Sequence, residues 1–252
     1  MSMDNTNRFS NRVENYVKYR PGYPAGVVDY LQHTFGLTSD KVIADIGAGT
    51  GISSELFLKN HHTVFAVEPN KAMRDKAVHL LGSYAGFHAV DGTAEHTTLP
   101  GASVDVILAG QAFHWFDRRK AKEEFRRIMK PDGIVVLMWN ERNTTSEFEK
   151  RYDELIISHS KDYVKVDHRN IDEQAIITFF QPLPVTTAVF SNHQVFDFQG
   201  LRGRLLSSSY IPAIGEPGHD QLMQEVRQLF DQYQQDNLIR INYTVNVYIG
   251  KL

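Results

Sequence analysis

The feature that most constrains this sequence is a run of three alternating glycines, Gly47, Gly49 and Gly51, directly after the mostly apolar segment 42–46. Residues 52–58 follow with apolar side chains at helical spacing, so the pattern predicts a buried strand, a tight turn and a helix. Open parallel sheets bind their ligands at such turns. Glycine suits the turn because it adopts positive φ angles, and because a side chain would block a ligand from the amides at the start of the helix.

Two acidic residues indicate what kind of ligand this turn binds. A dinucleotide site follows the pattern G-x-G-x-x-G, but here its third glycine would fall on Ile52. Asp45, two residues before the first glycine, would repel a pyrophosphate and attract an ammonium group. Glu68 ends the next apolar run, at roughly the 20-residue distance expected of a carboxylate that binds ribose. The pattern therefore favours S-adenosylmethionine (SAM), whose methionine end is a zwitterion.

Further motifs resemble those of class I SAM-dependent methyltransferases, in the methyltransferase type 11 branch that includes trans-aconitate methyltransferase-like proteins. Residues 91–95 resemble the segment that contacts adenine, 111–116 the motif after the fourth strand, and 129–133 the turn before the fifth. The family often has Asp where this chain has Thr93, so the resemblance implies that a hydroxyl or the backbone holds the adenine amino group instead.

The resemblance implies a site for SAM, with S-adenosylhomocysteine (SAH) as the product. Besides the residues of the glycine turn, the resemblance implies that a methionine contacts the adenine face and that two residues of the N-terminal segment contact the cofactor. The residues assigned to the cofactor are Asp45, Gly47, Ala48, Gly49, Gly51, Glu68, Pro69, Met73, Thr93, Ala94, Gln111, Tyr16 and Arg20.

The N-terminal segment is predicted to form an amphipathic helix over residues 8–19, followed by a loop that two prolines and a glycine fix. In the family resembled, this helix is a lid over the cofactor, which makes Tyr16, Tyr19, Arg20 and Tyr23 candidates for the site. Aromatic faces attract a sulfonium cation, and Arg20 can hold a carboxylate through two parallel hydrogen bonds. The alternative is that these aromatic residues only cover the first helix of the sheet.

Composition limits the class of protein. With 252 residues, 42% of them hydrophobic, the chain can bury the core of one α/β domain. The net charge of −3 gives no general attraction for nucleic acid, and the absence of cysteine excludes disulfides and thiolate metal ligands. No apolar run approaches the roughly 20 residues of a membrane helix, and the N-terminus lacks a signal-peptide pattern. We therefore expect a cytoplasmic protein with no metal and with no membrane or nucleic-acid partner.

The periodicity predicts an α/β fold with a mostly parallel sheet. The resemblance completes it as a doubly wound, seven-stranded Rossmann-like sheet with an antiparallel C-terminal strand and an N-terminal helical lid. The C-terminal strand is residues 239–249, which the resemblance places between the fifth and sixth strands. A turn is predicted at 130–133 and an insertion helix at 171–180. The single domain, 1–252, is divided into four parts. These are the lid with the first helix (8–35), the SAM-binding core (36–140), a helical insertion (141–184), and the C-terminal strands and helices (185–252).

His114 and Arg20 are the candidate catalytic residues. His114 lies just after the fourth predicted strand, where a substrate is expected, although a histidine in such a loop often only satisfies backbone groups. A carboxylate acceptor needs no base, so Arg20 would then matter more; a hydroxyl or amine acceptor would make His114 the base. Further candidates for substrate contact are Tyr19, Tyr23, Trp115, Arg204 and Ser209, the last two with a surface helix as the alternative.

The sequence thus predicts a SAM-dependent methyltransferase of a small molecule, with a carboxylate or hydroxyl acceptor, and leaves three alternatives open. In a methyltransferase that acts on amino groups of nucleic acid or protein, a Pro-Pro-aromatic segment usually follows the fourth strand, where this chain has Gln-Ala-Phe-His-Trp. A SAM-binding protein without catalytic activity would keep the same cofactor residues. A nicotinamide oxidoreductase is opposed by Ile52 and Asp45. No motif identifies the acceptor or the oligomeric state.

Overall fold

A computed structural model of the chain describes residues 13–160, 173–208 and 210–252. In these residues one seven-stranded sheet is flanked by helices. The strands are β1 (Val42–Ile46), β2 (Thr63–Val67), β3 (Phe87–Val90), β4 (Val104–Gly110), β5 (Met129–Arg142), β6 (Val185–Phe196) and β7 (Ile239–Gly250). The helices are α1 (Val13–Tyr19), α2 (Gly26–Phe35), α3 (Ile52–Leu58), α4 (Lys71–Leu81), α5 (Arg118–Ile128), α6 (Glu147–His159), α7 (Glu173–Phe180), α8 (Phe198–Leu206) and α9 (His219–Tyr233), with a short 3-10 helix at Phe113–Trp115.

The strand order is β3-β2-β1-β4-β5-β7-β6. Strands β1 to β5 pair in parallel, whereas β7 is antiparallel to both β5 and β6. The chain runs from β1 outward to β3 and then returns to place β4 on the other side of β1. Because ligands bind where the strand order reverses in this way, the carboxyl ends of β1 and β4 mark the expected site. The predicted fold class is confirmed, including the position of the antiparallel strand.

The core lies on both faces of the sheet, as the continuous apolar strands predict. Along β1, Ile43 packs on one face with Leu31 and Phe57, and Ile46 packs on the other with Phe125. A third apolar cluster joins α6, α8 and α9 to the first residues of β7. Each of these side chains contributes about 1.5–3 kcal/mol to stability when fully buried. The sheet is therefore a rigid base for the loops at its carboxyl edge.

Two helices begin at a residue whose side chain caps them. The side chains of Asn70 and Asp117 accept hydrogen bonds from the amides of Met73 and Lys120, at 3.1 and 3.2 Å, and so cap α4 and α5. The turn predicted at 130–133 differs from expectation, because it is a bulge within β5. Met129 pairs with Val104 and Ile134 with Val106, so the four residues between them have no partner in the register.

Two predicted helices are only partly described. Of the helix predicted over 8–19, the structure describes α1, and of the one predicted over 171–180 it describes α7; residues 8–12 and 171–172 lie outside the described residues. No helix in the described part of the chain is long and apolar enough to span a membrane. The same residues contain no group of three or more His, Asp or Glu arranged to hold a metal ion.

Candidate functional site

The glycine turn, residues 47–51, connects β1 to α3 and has three glycines in the left-handed region. Their φ angles are 70° at Gly47, 58° at Gly49 and 87° at Gly51. A Cβ on Gly47 would lie 2.7 Å from that of Ala112, and one on Gly51 would overlap Leu81. A Cβ on Gly49 would meet nothing closer than 4.0 Å. Gly47 and Gly51 therefore allow close packing, while Gly49 leaves open space beside the turn.

Most amides of the turn are already bonded inside the protein. Those of Gly47 and Ala48 donate to the Val67 carbonyl, at 2.9 and 3.2 Å, and that of Gly51 donates to the Ala48 carbonyl. The amide of Gly49 donates to a carboxylate. These four amides are therefore already satisfied, and contact of a ligand with the amides at the start of α3 stays a prediction. A phosphate held by backbone N–H groups, as at other glycine-rich turns, has few donors here.

Glu68, directly after β2, fixes the shape of this turn. Its Oε2 accepts from the Gly49 amide at 2.9 Å, and its Oε1 accepts from the Asn70 amide, beyond Pro69, at 2.8 Å. The residue is nearly buried, and burial raises the pKa of its carboxyl. A carboxylate oxygen can accept more than one hydrogen bond, so Glu68 can also accept from a ligand hydroxyl.

Asp45 is fully buried at the carboxyl end of β1. Its Oδ2 accepts from the hydroxyls of Ser53 and Ser54, at 2.7 and 2.6 Å, whereas its Oδ1 has no hydrogen-bond partner in the described part of the chain. Burial raises the pKa of Asp45 to about 6, so the group is mainly ionised at pH 7. A buried carboxylate with one unsatisfied oxygen favours a cationic partner.

Two more buried polar atoms near Asp45 have no hydrogen-bond partner among the described residues, the Thr50 hydroxyl and Oε1 of Gln111. Gln111 follows β4, which pairs with β1, and has a left-handed φ of 56° that only a few per cent of non-glycine residues adopt. Its Nε2 donates to the Asn140 carbonyl at 2.9 Å. The three residues thus offer two acceptors and a hydroxyl donor, which matches the ammonium and carboxylate of the SAM methionine end.

The residues assigned to adenine lie beside the turn. The Met73 methyl group is the atom nearest to the open side of Gly49, so it lies at the wall of that space. Thr93 uses its hydroxyl to accept from the His96 amide at 3.2 Å, which closes a local turn. Ala94 is buried. The hydroxyl of Thr93 therefore has a structural partner, and contact of this segment with adenine stays a prediction.

The lid loop, residues 20–24, crosses the carboxyl edge of the sheet. The Gly22 carbonyl accepts from Nδ2 of Asn140 and of Asn192, at 2.9 and 2.8 Å. The Tyr23 hydroxyl lies so close to Gly110 that a Cβ there would be 2.7 Å from it. The loop therefore covers the ends of β4, β5 and β6, next to the site of Asp45.

The two residues before the lid loop's prolines contact α8. The ring of Tyr19 lies directly against Gly203, where a Cβ would overlap it, and meets Phe196 edge-on. Arg20 donates from Nη2 to the Ser207 carbonyl at 3.2 Å. These contacts support the covering role for Tyr19 and place Arg20 between the lid and α8. The Tyr16 side chain lies outside the description, so its assignment stays a prediction.

His114 and Trp115 lie together in the 3-10 helix after β4, with ring centroids 4.7 Å apart. Desolvation by surrounding atoms lowers the pKa of His114 to about 4, although part of the residue is exposed to solvent. The imidazole is therefore neutral at pH 7 and able to accept a proton. Phe113 and Phe116, on either side of them, are buried in the core.

Arg204 does not lie on a surface helix. It is 7% exposed, and it donates from Nε to the Tyr243 hydroxyl at 3.2 Å and from Nη1 to the Ser207 hydroxyl at 3.4 Å. The alternative that the sequence left open for this residue is therefore wrong. Ser209, its partner in that assignment, lies outside the described residues.

Several residues of the site were missed from the sequence. Ser53 and Ser54 had a signal, because the first turn of a helix after a glycine turn lies next to the preceding strand. Arg74 donates to the Glu68 carbonyl at 2.6 Å and pairs with Asp91 at 2.9 Å, which ties two loops of the site together. The asparagines that hold the lid loop had no local signal, since their partner is more than 100 residues away.

Comparisons with known proteins agree with this geometry. Residues 44–137 match the model of a family described as a methyltransferase domain. An uncharacterized methyltransferase-like protein of Schizosaccharomyces pombe is 30% identical over 155 residues, which cover 61% of this chain and 59% of that protein. An uncharacterized methyltransferase of Mycobacterium tuberculosis is 32% identical over 148 residues, 59% and 58% of the two chains. The chain thus spans less than three fifths of the length of these relatives.

A solved structure extends the likeness to the whole fold. A candidate type II methyltransferase from Anaeromyxobacter dehalogenans superposes with a TM-score of 0.70, over 92% of this chain and 98% of that one, at 22% identity. At this identity the superposition shows a shared fold, and it carries no information on the acceptor.

Proposed function

We propose that the chain is a class I SAM-dependent methyltransferase, as its domain match and its sheet order support, and that it transfers a methyl group from SAM to a small molecule. The observation that carries the proposal is the free Oδ1 of Asp45, a buried carboxylate oxygen that no described residue satisfies. An ammonium group placed there would compensate its charge.

The cofactor end of the site favours a zwitterion over a phosphorylated compound. Four amides of the glycine turn are already bonded, so the turn itself offers few donors to a phosphate. Asp45 and Glu68 both bring negative charge to the turn, which would repel a pyrophosphate. In the proposed complex, Asp45, Thr50 and Gln111 hold the methionine end, and Glu68 accepts from the ribose hydroxyls.

When bound, SAM would supply an activated methyl group: the acceptor would bond to the methyl carbon as the carbon–sulfur bond breaks, and SAH would leave. The chain's contribution is to orient the acceptor and exclude water, and the lid loop with Tyr23 lies where it can do both. Orientation of this kind lowers a barrier by about 7–11 kcal/mol. For a hydroxyl acceptor, the neutral imidazole of His114 accepts the proton, a step worth about 10²–10⁴-fold in rate. For a carboxylate acceptor no proton has to move.

A nucleic-acid substrate is disfavoured by how the basic residues are used. Arg119, Lys120 and Arg127 of α5 each pair with an acidic residue of the same helix or its cap, at 2.7, 3.7 and 2.7 Å. Together with a net charge of −3, these pairs leave little positive field for phosphates. A gel shift with a salt titration tests this alternative, since phosphate contacts would give a steep loss of binding with salt.

Calorimetry with SAH and NAD, followed by turnover, tests the proposal. We expect SAH to bind and NAD not to bind, and we expect SAH to accumulate when SAM is incubated with the protein and a pool of small organic acids and alcohols. Tight binding of NAD without binding of SAH would contradict the proposal. Binding of SAH without turnover on any pool would favour a SAM-binding protein instead. A cytoplasmic location is part of the same proposal, and cell fractionation tests it.

A further inference from the structure

Arg204 is a buried positive charge whose hydrogen-bond partners are uncharged. Within the described residues it bonds only to the hydroxyls of Tyr243 and Ser207, and no carboxylate there lies within ion-pair distance. Arg142, which is similarly shielded from solvent, forms an ion pair with Asp153. The difference matters because buried charges in proteins are paired with an opposite charge or bind one.

The guanidinium has donors to spare. It stays protonated in proteins, and two hydrogen bonds use two of its five N–H groups. The flat fork formed by Nη1 and Nη2 matches the two oxygens of a carboxylate. A buried arginine in this state is therefore ready to accept an anion from outside the chain.

The Tyr152 hydroxyl is a second buried donor beside this charge. The residue is 1% exposed, and no hydrogen bond joins its hydroxyl to another residue that the structure describes. Burial raises the pKa of Tyr152 to about 12, so the hydroxyl stays protonated and can donate. Three tyrosines lie near enough to interact electrostatically with the guanidinium of Arg204, namely Tyr152, Tyr210 and Tyr243.

Hydrogen bonds connect Arg204 to the lid. The Tyr243 hydroxyl, which accepts from Arg204, donates to Oε1 of Gln194 at 2.8 Å, and Nε2 of Gln194 donates to the Tyr19 carbonyl at 3.1 Å. Arg20 reaches the carbonyl of Ser207, the residue whose hydroxyl accepts from Arg204. Arg204 therefore lies beneath the lid, at the edge of the sheet that also carries the glycine turn.

We propose that Arg204, assisted by the Tyr152 hydroxyl, binds a carboxylate of the methyl acceptor. The inference rests on the proposed function and specifies its substrate class. The carboxylate of SAM itself is the other possible source of the anion, but β7 is three strands from β1, about 14 Å at the usual strand spacing. The methionine end, held near Asp45, is too short to span that distance.

The experiment measures binding to the SAH-loaded protein by calorimetry. The probes are propane-1,2,3-tricarboxylate, succinate and benzoate, each compared with its amide. We expect at least one carboxylate to bind and its amide not to bind. Arg204→Met should weaken the carboxylate by about 10- to 150-fold, the range for a hydrogen-bonded charge, and leave SAH binding unchanged.

Two further variants make the test specific. Arg240→Met removes an exposed arginine of β7 that also has an uncharged partner, Asn242, and should leave carboxylate binding unchanged. Tyr152→Phe keeps the ring and removes only the hydroxyl, so it should weaken the carboxylate without loss of folding. The melting temperature of Arg204→Met should equal or exceed that of the wild type, since an unpaired buried charge is removed.

The contrary outcomes are distinct. The assignment of Arg204 would be overturned if wild type and Arg204→Met bound the carboxylate equally, or if the wild type bound no carboxylate. In either case, SAH binding by the wild type would still support the proposed function. If Arg204→Met lost SAH binding at a normal melting temperature, the arginine would belong to the cofactor site. The proposal that it binds the acceptor would then be overturned. Failure of the wild type to bind SAH would overturn both proposals.

Discussion

The proposed site has a half for the cofactor and a half for the acceptor, and the two are assembled in different ways. The cofactor half, at the ends of β1, β2 and β4, joins residues close in sequence: Glu68 bonds to an amide 19 residues earlier, and Asp45 to a hydroxyl 8 residues later. The acceptor half, at the ends of β5 and β6 and the start of β7, joins distant ones. Arg20 bonds to a carbonyl 187 residues later, and Asn192 to one 170 residues earlier.

This difference suggests what each half has to do. The cofactor half consists of one strand–turn–helix unit and its neighbour. Other proteins of this fold can use the same local unit to bind the same ligand. An acceptor half made from the lid, α6, α8 and β7 depends on how remote segments meet, so its chemistry can differ while the sheet stays unchanged. Mutations in the first half should therefore affect cofactor binding, and mutations in the second should affect the acceptor.

The largest expected effect is at Gly51, in the cofactor half. Gly51→Ala forces a side chain into the left-handed region and against Leu81, which should destabilise the fold by about 2–5 kcal/mol. Gly49→Ala has the same backbone strain but open space, and should cost about 1–2 kcal/mol. Chemical denaturation measures both. Equal losses would show that packing at Gly51 is not tight.

Asp45 should have the next largest effect, through the cofactor. Asp45→Asn removes the charge that the ammonium group needs and should weaken SAH by about 10- to 150-fold in calorimetry at pH 7. Asp75→Asn, which removes a carboxylate from an exposed ion pair of α4, is the control and should leave SAH binding unchanged. If Asp45→Asn bound SAH as strongly as the wild type, the assignment of cofactor binding to this half would be wrong.

The same carboxyl predicts two opposite pH dependences. Because the folded pKa of about 6 lies above the ordinary 3.8, Asp45 contributes stability that is fully present below pH 3.8 and is lost as pH rises through 6. SAH binding needs the ionised form, so affinity should fall below pH 6 by up to about tenfold per pH unit. The difference between wild type and Asp45→Asn, in melting and in calorimetry, isolates both trends.

A smaller effect is expected in the acceptor half at Asn192. Asn192→Ala removes one of the two donors to the Gly22 carbonyl and should cost about 0.5–1.5 kcal/mol. Asn60→Ala, which removes a similar bond to the Leu56 carbonyl, is the control. Both should lose similar stability, but only Asn192→Ala should speed hydrogen exchange in the lid loop and raise the KM of the acceptor. A change in SAH affinity instead would contradict the comparison.

The smallest effect is expected for His114→Ala with a carboxylate acceptor, where no proton is removed and turnover should match that of the His79→Ala control. With a hydroxyl acceptor, the same change should slow turnover by about 10²–10⁴-fold. Because the pKa of His114 lies near 4, kcat at saturating SAM should not fall between pH 8 and 5 through this group. A fall centred near pH 6.5 that disappears in His114→Ala would contradict the lowered pKa.

The sequence predicts where the main residues of the cofactor half lie because the signals for them are local, and their contact with a cofactor stays a prediction. Glycine spacing, the acid before it and the acid after the next strand place Asp45, Gly49 and Glu68 at one strand edge, and the strand order followed from periodicity and resemblance. The use of the turn's amides was not predictable, because it depends on how closely β2 approaches the turn.

The acceptor half could not be predicted in the same way. Whether Arg204 faces solvent depends on α6, α9 and β7 packing around α8, and no pattern within α8 reports that. Likewise, the residues at 130–133 look like a simple turn, and only pairing with β4 turns them into a bulge. In both cases, the deciding contacts come from outside the segment itself.

The doubly held carbonyl of Gly22 also has a consequence for synthesis of the chain on the ribosome. Its two donors lie 118 and 170 residues downstream, so the second becomes available only after β6 has been translated. Closing loops of this length is entropically costly, and nearer contacts form first. A growing polypeptide can therefore shape the glycine turn and its neighbouring loops early, but it cannot complete the cover over them until residue 192 has emerged.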